Sequence, residues 1–297
     1  MEEAIQTQEI NITEVILETI NSLCQSLFSS IDNAIFPLLD DLIFIDSNIT
    51  ETSFLERIMG QNVNTGLLVL ANALLLAFVL YYSIRRFTSF FNGQEVESPY
   101  KFVVRAIFIC ILMNFSLSIC SGIVSFSHEI TDFICGLGNN IFKKELSFSS
   151  LINELSGKQT SSFNIFSIDG ILTSMLSISS FSLVINFTFR YILTKVLILL
   201  SPFAFLCLLN QTTKGFFNSW YKSFLSLLLV QIIVALILLL PFAILKENSS
   251  TIFSKLLLIG SVYTLLKANQ FVKEFINGTG ISTDFNSGIN RNQIIVY

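Results

Sequence analysis

Charge is what this sequence has least of: 13% of its residues are Asp, Glu, Lys or Arg, where a soluble domain carries about a quarter. It has one histidine, His128. A Ser-His-Asp or zinc site needs histidine inside a supported constellation, and nothing beside His128 in the sequence provides one. No glycine-rich loop ending in Gly-Lys-Ser/Thr is present, which excludes nucleotide hydrolysis by a P-loop. The five cysteines, Cys24, Cys110, Cys120, Cys135 and Cys207, form no CxxC pair and no metal-ligand spacing. Cys110, Cys120 and Cys207 lie in apolar stretches and read as small hydrophobes, while a pairing of Cys24 with Cys135 stays open. No catalytic, cofactor-binding or metal-ligating residue is therefore expected. The N-terminus MEEAIQTQEI is acidic and lacks the basic, then apolar, pattern of a cleavable leader.

What is there instead is apolar. Residues of the hydrophobic class make up 52% of the chain, and the charges collect in a few segments with long apolar stretches between them. That distribution predicts an all-α, polytopic transmembrane helical bundle.

Three parts are legible. Segment 1–64 is acidic, with Arg57 as its single base. In it Ile12, Ile16, Ile20, Leu23, Leu27, Ile31 and Ile35 recur at steps of three or four. This is an amphipathic helix stripe, expected to pack on the outer face of the bundle and to end or bend at Pro37. Segment 65–277 is the transmembrane domain, interrupted by a polar loop at 128–169. Segment 278–297 is a polar tail.

The first span is Leu67–Ile84, closed by the interface residues Tyr81 and Tyr82 and followed at once by Arg85 and Arg86. The second runs from about Val103 to Val124, and two more occupy about Phe224–Leu245 and Thr251–Leu266. Stretch 171–209 is too long for one ordinary crossing. It reads as two spans with a turn near Arg190, or as one span with a kinked continuation at Pro202. The positive-inside rule decides the count. Five crossings with the N-terminus outside place Arg85, Arg86, Lys101, Arg105, Lys214, Lys222, Lys267, Lys273 and Arg291 in the cytoplasm. Arg57, Lys143, Lys144, Lys158 and Lys246 then lie outside. Six crossings would reverse that bias.

Polar residues at membrane depth need an explanation. Asn186, Arg190, Lys195 and Gln231 fall within apolar stretches, where an ionisable side chain costs about 2.5–3.5 kcal/mol on the insertion scale. Arg190 and Lys195 can snorkel to an interface, or the four can line a hydrated path.

The run ILLSPFAFLCLLNQTTKGFFNSWYKSFLSLLL, residues 198–229, resembles a recurring feature of TrbL-type conjugal transfer proteins, in particular their Gram-positive, clostridial-like branch. That feature is a small residue and proline before an apolar run, a polar turn with a base, then an aromatic and a tryptophan three residues apart. The matching positions are Ser201, Pro202, Phe203, Lys214, Phe217 and Trp220. Ser201 replaces the common alanine and Lys214 the frequent arginine. The resemblance implies a non-enzymatic, homo-oligomeric channel or scaffold subunit in a bacterial cytoplasmic membrane. It would work in a type IV secretion system beside separate transfer ATPases and contact translocating DNA or protein only transiently. A net charge of −4 agrees with the absence of tight nucleic-acid binding by the chain itself. The rival expectation is a small-solute transporter, which would show interrupted spans in two similar halves.

Overall fold

A computed structural model describes residues 12–43, 53–60, 66–93, 97–144, 146–150, 167–246 and 251–278. The described residues are helical, with turns between the helices and no strand among them. In chain order the helices are α1 (Ile12–Ile43), α2 (Ser53–Met59), α3 (Leu67–Asn92), α4 (Pro99–Asn114), α5 (Ser116–Phe142), α6 (Ile168–Leu206), α7 (Lys214–Lys246) and α8 (Thr251–Gly278). The chain divides into two compact units: 1–43, 134–188 and 234–266 form the first, and 44–133, 189–233 and 267–297 the second.

Among the described residues three helices, α3, α6 and α7, are long and apolar enough to cross a membrane. A fourth crossing is available if α4 and α5, bent by 59° at the break between them, form one span. This is the pattern of a multi-pass membrane protein. The expected span at Thr251–Leu266 lies in α8.

In the first unit, α1 does not end at Pro37: the proline removes one backbone donor, and the helix continues through it to Ile43. Its last turns bury Ile35, Phe36, Leu39 and Ile43. The Asp40 carboxylate accepts hydrogen bonds from the backbone N–H of Phe148 (2.6 Å) and Ser149 (3.2 Å), and from the Ser149 hydroxyl. These contacts hold the turn that follows the proline. Most of the long apolar stripe, by contrast, is not packed: Ile16, Ile20, Leu23, Leu27 and Ile31 are exposed, and Ile35 alone of it is buried among the residues whose exposure is described. At 100° per residue Phe36, Leu39 and Ile43 lie on the side of α1 away from the exposed stripe, and Ile35 borders both.

α5 remains helical to Phe142, so 128–142, expected to begin a polar loop, is not loop. Its apolar residues Ile130, Ile134, Leu137 and Ile141 keep helical spacing beneath the polar ones. In the first unit α5 runs parallel to α7. Phe142 stacks on Phe242 (6.0 Å between ring centroids), and a Cβ on Gly138 would meet Leu239 at 2.8 Å. α6 and α8 are also parallel there, joined by Lys255 Nζ donating to Thr173 Oγ1 (3.3 Å) and Asn186 Nδ2 donating to the Leu266 carbonyl (3.2 Å).

In the second unit, Gly66 sets the start of α3. Its φ of +93° favours glycine, and an added Cβ would lie 2.5 Å from the Ile58 carbonyl oxygen. Gly93, at φ +65°, ends α3 in the left-handed cap conformation. α4 returns antiparallel to α3, since Tyr82 stacks on Phe102 (3.7 Å, 3° between planes) and Asn72 bonds Asn114 (3.5 Å). The core of this unit gathers Met113, Cys120, Val124, Ile198, Phe205, Trp220 and Phe224.

Candidate functional site

Residues 198–229 form one packed structure in the second unit. Pro202 sits inside α6 near its end, where it leaves the Ile198 carbonyl without its helical donor. A turn of 3-10 helix at Cys207–Leu209 follows. Thr213 closes the connection, its hydroxyl donating to the Cys207 carbonyl at 2.7 Å. α7 then starts at Lys214 and runs antiparallel to α6, because the Trp220 indole N–H donates to the Leu197 carbonyl (2.9 Å). Phe205, Phe217 and Phe224 surround the indole at centroid distances of 5.6, 5.8 and 5.6 Å. Of the six motif positions, Ser201, Pro202 and Trp220 are buried, Phe203 and Phe217 half-buried, and Lys214 exposed. The proline, the turn and the aromatic cluster thus act locally as a clasp between two spans.

Of the four membrane-depth residues, Asn186 belongs to the first unit, where its Nδ2 donates to the Leu266 carbonyl, and Arg190, Lys195 and Gln231 belong to the second. α6 has no turn at Arg190, which excludes the two-span reading of 171–209; the helix is continuous through Leu206. Arg190 is 1% exposed, so its guanidinium lies inside protein and does not snorkel. Its own carbonyl accepts from the Thr194 hydroxyl at 2.9 Å. Lys195 is half-buried, with Nζ 4.7 Å from the centroid of the Tyr191 ring, a cation–π contact. Gln231 is buried.

Several polar contacts were not anticipated from the sequence. Arg105, expected only as one of the cytoplasmic bases, donates through Nη2 to the Glu97 carboxylate and through Nη1 to the Leu209 carbonyl (3.3 Å). It ties α4 to the turn after α6. His128 pairs with Asp132 across one turn of α5 (3.3 Å), a spacing visible only once the segment is read as helix. Buried Lys255 finds Thr173. Among the described residues no three His, Cys, Asp or Glu side chains gather as a metal site, and no disulfide joins Cys24 and Cys135.

Comparison with known proteins matches the chain to no protein family and to no curated relative.

Proposed function

We propose that this protein is a channel or scaffold subunit of a conjugative type IV secretion system in a bacterial cytoplasmic membrane. It crosses the membrane five times, N-terminus out and C-terminus in, and helps move DNA or protein substrate beside separate transfer ATPases in a homo-oligomeric assembly. One observation carries the reading. Of the residues behind the resemblance, Phe203, Phe217 and Trp220 pack in one apolar cluster and Ser201 and Pro202 are buried, with Lys214 exposed at the start of α7. The directions of the helices support the topology: α4 opposes α3, α7 opposes α6, and α8 follows α6. In that topology Arg85, Lys101, Arg105 and Lys214 share the cytoplasmic side, as the positive-inside rule favours.

A second reading, small-solute transport, draws on the 59° break between α4 and α5, since interrupted helices build transporter sites. α6, by contrast, carries its buried arginine on an unbroken helix.

Clean deletion of the gene from a donor strain is expected to abolish DNA transfer while growth and solute uptake stay normal. Wild-type mating frequency in the deletion strain would refute the secretion role, and loss of uptake would favour the transporter. Reporter fusions after Asn210 and at the C-terminus are both expected to read cytoplasmic; an external signal at either would overturn the five-crossing topology.

A further inference from the structure

The second unit contains a cavity of about 340 Å³ where α3, the start of α4 and the turn after α6 meet. Its wall carries Arg85, Arg105, Tyr81, Glu97 and the polar run 210–212. The position follows from sequence. The expected span in α3 ends at Ile84, the tyrosines mark the interface, and arginine comes next.

The chemistry of the wall favours an anion. Two guanidinium groups face one carboxylate. That carboxylate, Glu97, already accepts from Arg105 Nη2, while Nη1 is fixed on the Leu209 carbonyl. Arg105 is therefore held in place, and a guanidinium with five N–H donors still has several to offer. The Glu97 backbone carbonyl is satisfied by the Tyr82 phenol (2.6 Å), which braces the same wall. Arg85 is exposed at the rim. The phenol of Tyr81, the amides of Asn210 and Gln211 and the Thr212 hydroxyl add neutral donors. Planar guanidinium forks match phosphate oxygens in pairs. The volume suits a phosphate with the small alcohol it esterifies, at the low end of ligand pockets, and leaves no room for acyl chains. Outside the cavity, exposed Leu80 and Ile84 on α3 and Val104 and Ile107 on α4 offer an apolar surface along which such chains can lie.

We infer that this cavity binds a phosphate ester, its oxygens held between Arg85 and Arg105. The inference rests on α3 as a membrane span and is independent of any role in DNA transfer. The two sources of that chemistry are a phospholipid headgroup and a soluble phosphate ester.

The test uses the full chain in a neutral detergent, titrated with phosphatidylglycerol, with diacylglycerol of the same chains, and with glycerol 3-phosphate. Binding is read by native mass spectrometry and thermophoresis. The lipid is expected to bind and diacylglycerol not to. Arg85→Gln is expected to weaken binding by about tenfold, the scale of one charge-assisted hydrogen bond, while Arg86→Gln, its exposed neighbour, leaves it unchanged. Binding of the lipid without competition from glycerol 3-phosphate assigns a headgroup site; competition at comparable concentration assigns a soluble ester. Equal losses in the Arg85 and Arg86 variants would reveal general charge attraction and overturn the site. So would equal binding of diacylglycerol, or binding of neither phosphate compound. Arg85→Lys, with unchanged helical circular dichroism, should retain part of the affinity and separates loss of contact from loss of fold.

Discussion

Removing the indole of Trp220 should separate packing from hydrogen bonding in the clasp between α6 and α7. Trp220 is 4% exposed, stacks within 5° of Phe224 and donates to Leu197. Lipid is as apolar as the protein core, so transfer of the side chain out of the core contributes little to the balance. The cavity term remains. Trp220→Ala removes ~140 Å³, which at ~24 cal/mol per Å³ of unrelaxed cavity amounts to ~3 kcal/mol. Trp220→Phe removes ~40 Å³, worth ~1 kcal/mol, and the hydrogen bond to Leu197, worth ~1 kcal/mol more. The expected order is therefore wild type, then Phe lower by ~2 kcal/mol, then Ala lower by ~4 kcal/mol with both terms lost. The assay is unfolding by titration with a denaturing detergent from a mild one, followed by far-ultraviolet circular dichroism. Trp220 is the only tryptophan, so in the wild type its emission reports this site alone, blue-shifted while the clasp is closed. A loss below ~1 kcal/mol for Trp220→Ala would refute the packing, because a cavity of that size cannot be so cheap. Equal losses for Phe and Ala would show that the hydrogen bond, not the aromatic cluster, holds the helices.

The two neighbouring glycines of α5 should respond in opposite directions. Gly138→Ala places a Cβ 2.8 Å from Leu239 and 3.0 Å from Leu146 and should lower the melting temperature, costing ~1–2 kcal/mol. Gly136→Ala meets nothing within 4 Å and should be neutral or stabilising by up to ~1 kcal/mol, as for alanine replacing glycine in a helix. A reversed order would contradict the parallel packing of α5 on α7. Asp40→Ala removes three acceptor contacts to Phe148 and Ser149 and should cost ~1–2 kcal/mol. Hydrogen exchange is expected to quicken at the Phe148 and Ser149 amides and not in α3; unchanged exchange there would remove the contact.

Which parts of the fold could be read from the residues follows from what sets each part. α3 was legible at its start, because the apolar run opens at Leu67 and such a run is a local property, but the helix continues past the expected end of the span at Ile84, through Arg85 and Arg86, to Asn92. The helical identity of α1 was also local, but the face it buries was not. Ile35, Phe36, Leu39 and Ile43 look no more apolar than the exposed stripe, and only the distant Phe148 segment distinguishes them. The second half of α5 was misread because His128, Glu129, Asp132, Asn139 and Asn140 resemble a loop, although the apolar residues between them keep a helical step. In the candidate site, Pro202 and Trp220 were visible as unusual residues in an apolar run. Their mutual arrangement depends on α7 folding back on α6, which no single residue announces. Arg190 was expected to seek water because the cost of a buried charge is large. The continuity of α6 instead carries it into the protein.

The bond between Asp40 and Phe148 also imposes an order in time. The two residues are 108 positions apart, so at ~5–20 residues per second the ribosome needs on the order of 5–20 s to supply the partner after Asp40 has emerged. During that interval α1 has neither its buried contacts nor its carboxylate bond, and the exposed stripe from Ile16 to Ile31 stays uncovered throughout. α3 is made within that interval, so α1 can dock on the Phe148 segment only after α3 has been made, although α1 itself is made first. A nascent chain stalled before Phe148 should therefore hold inserted α3 and an undocked α1, open to protease or chaperone until synthesis resumes.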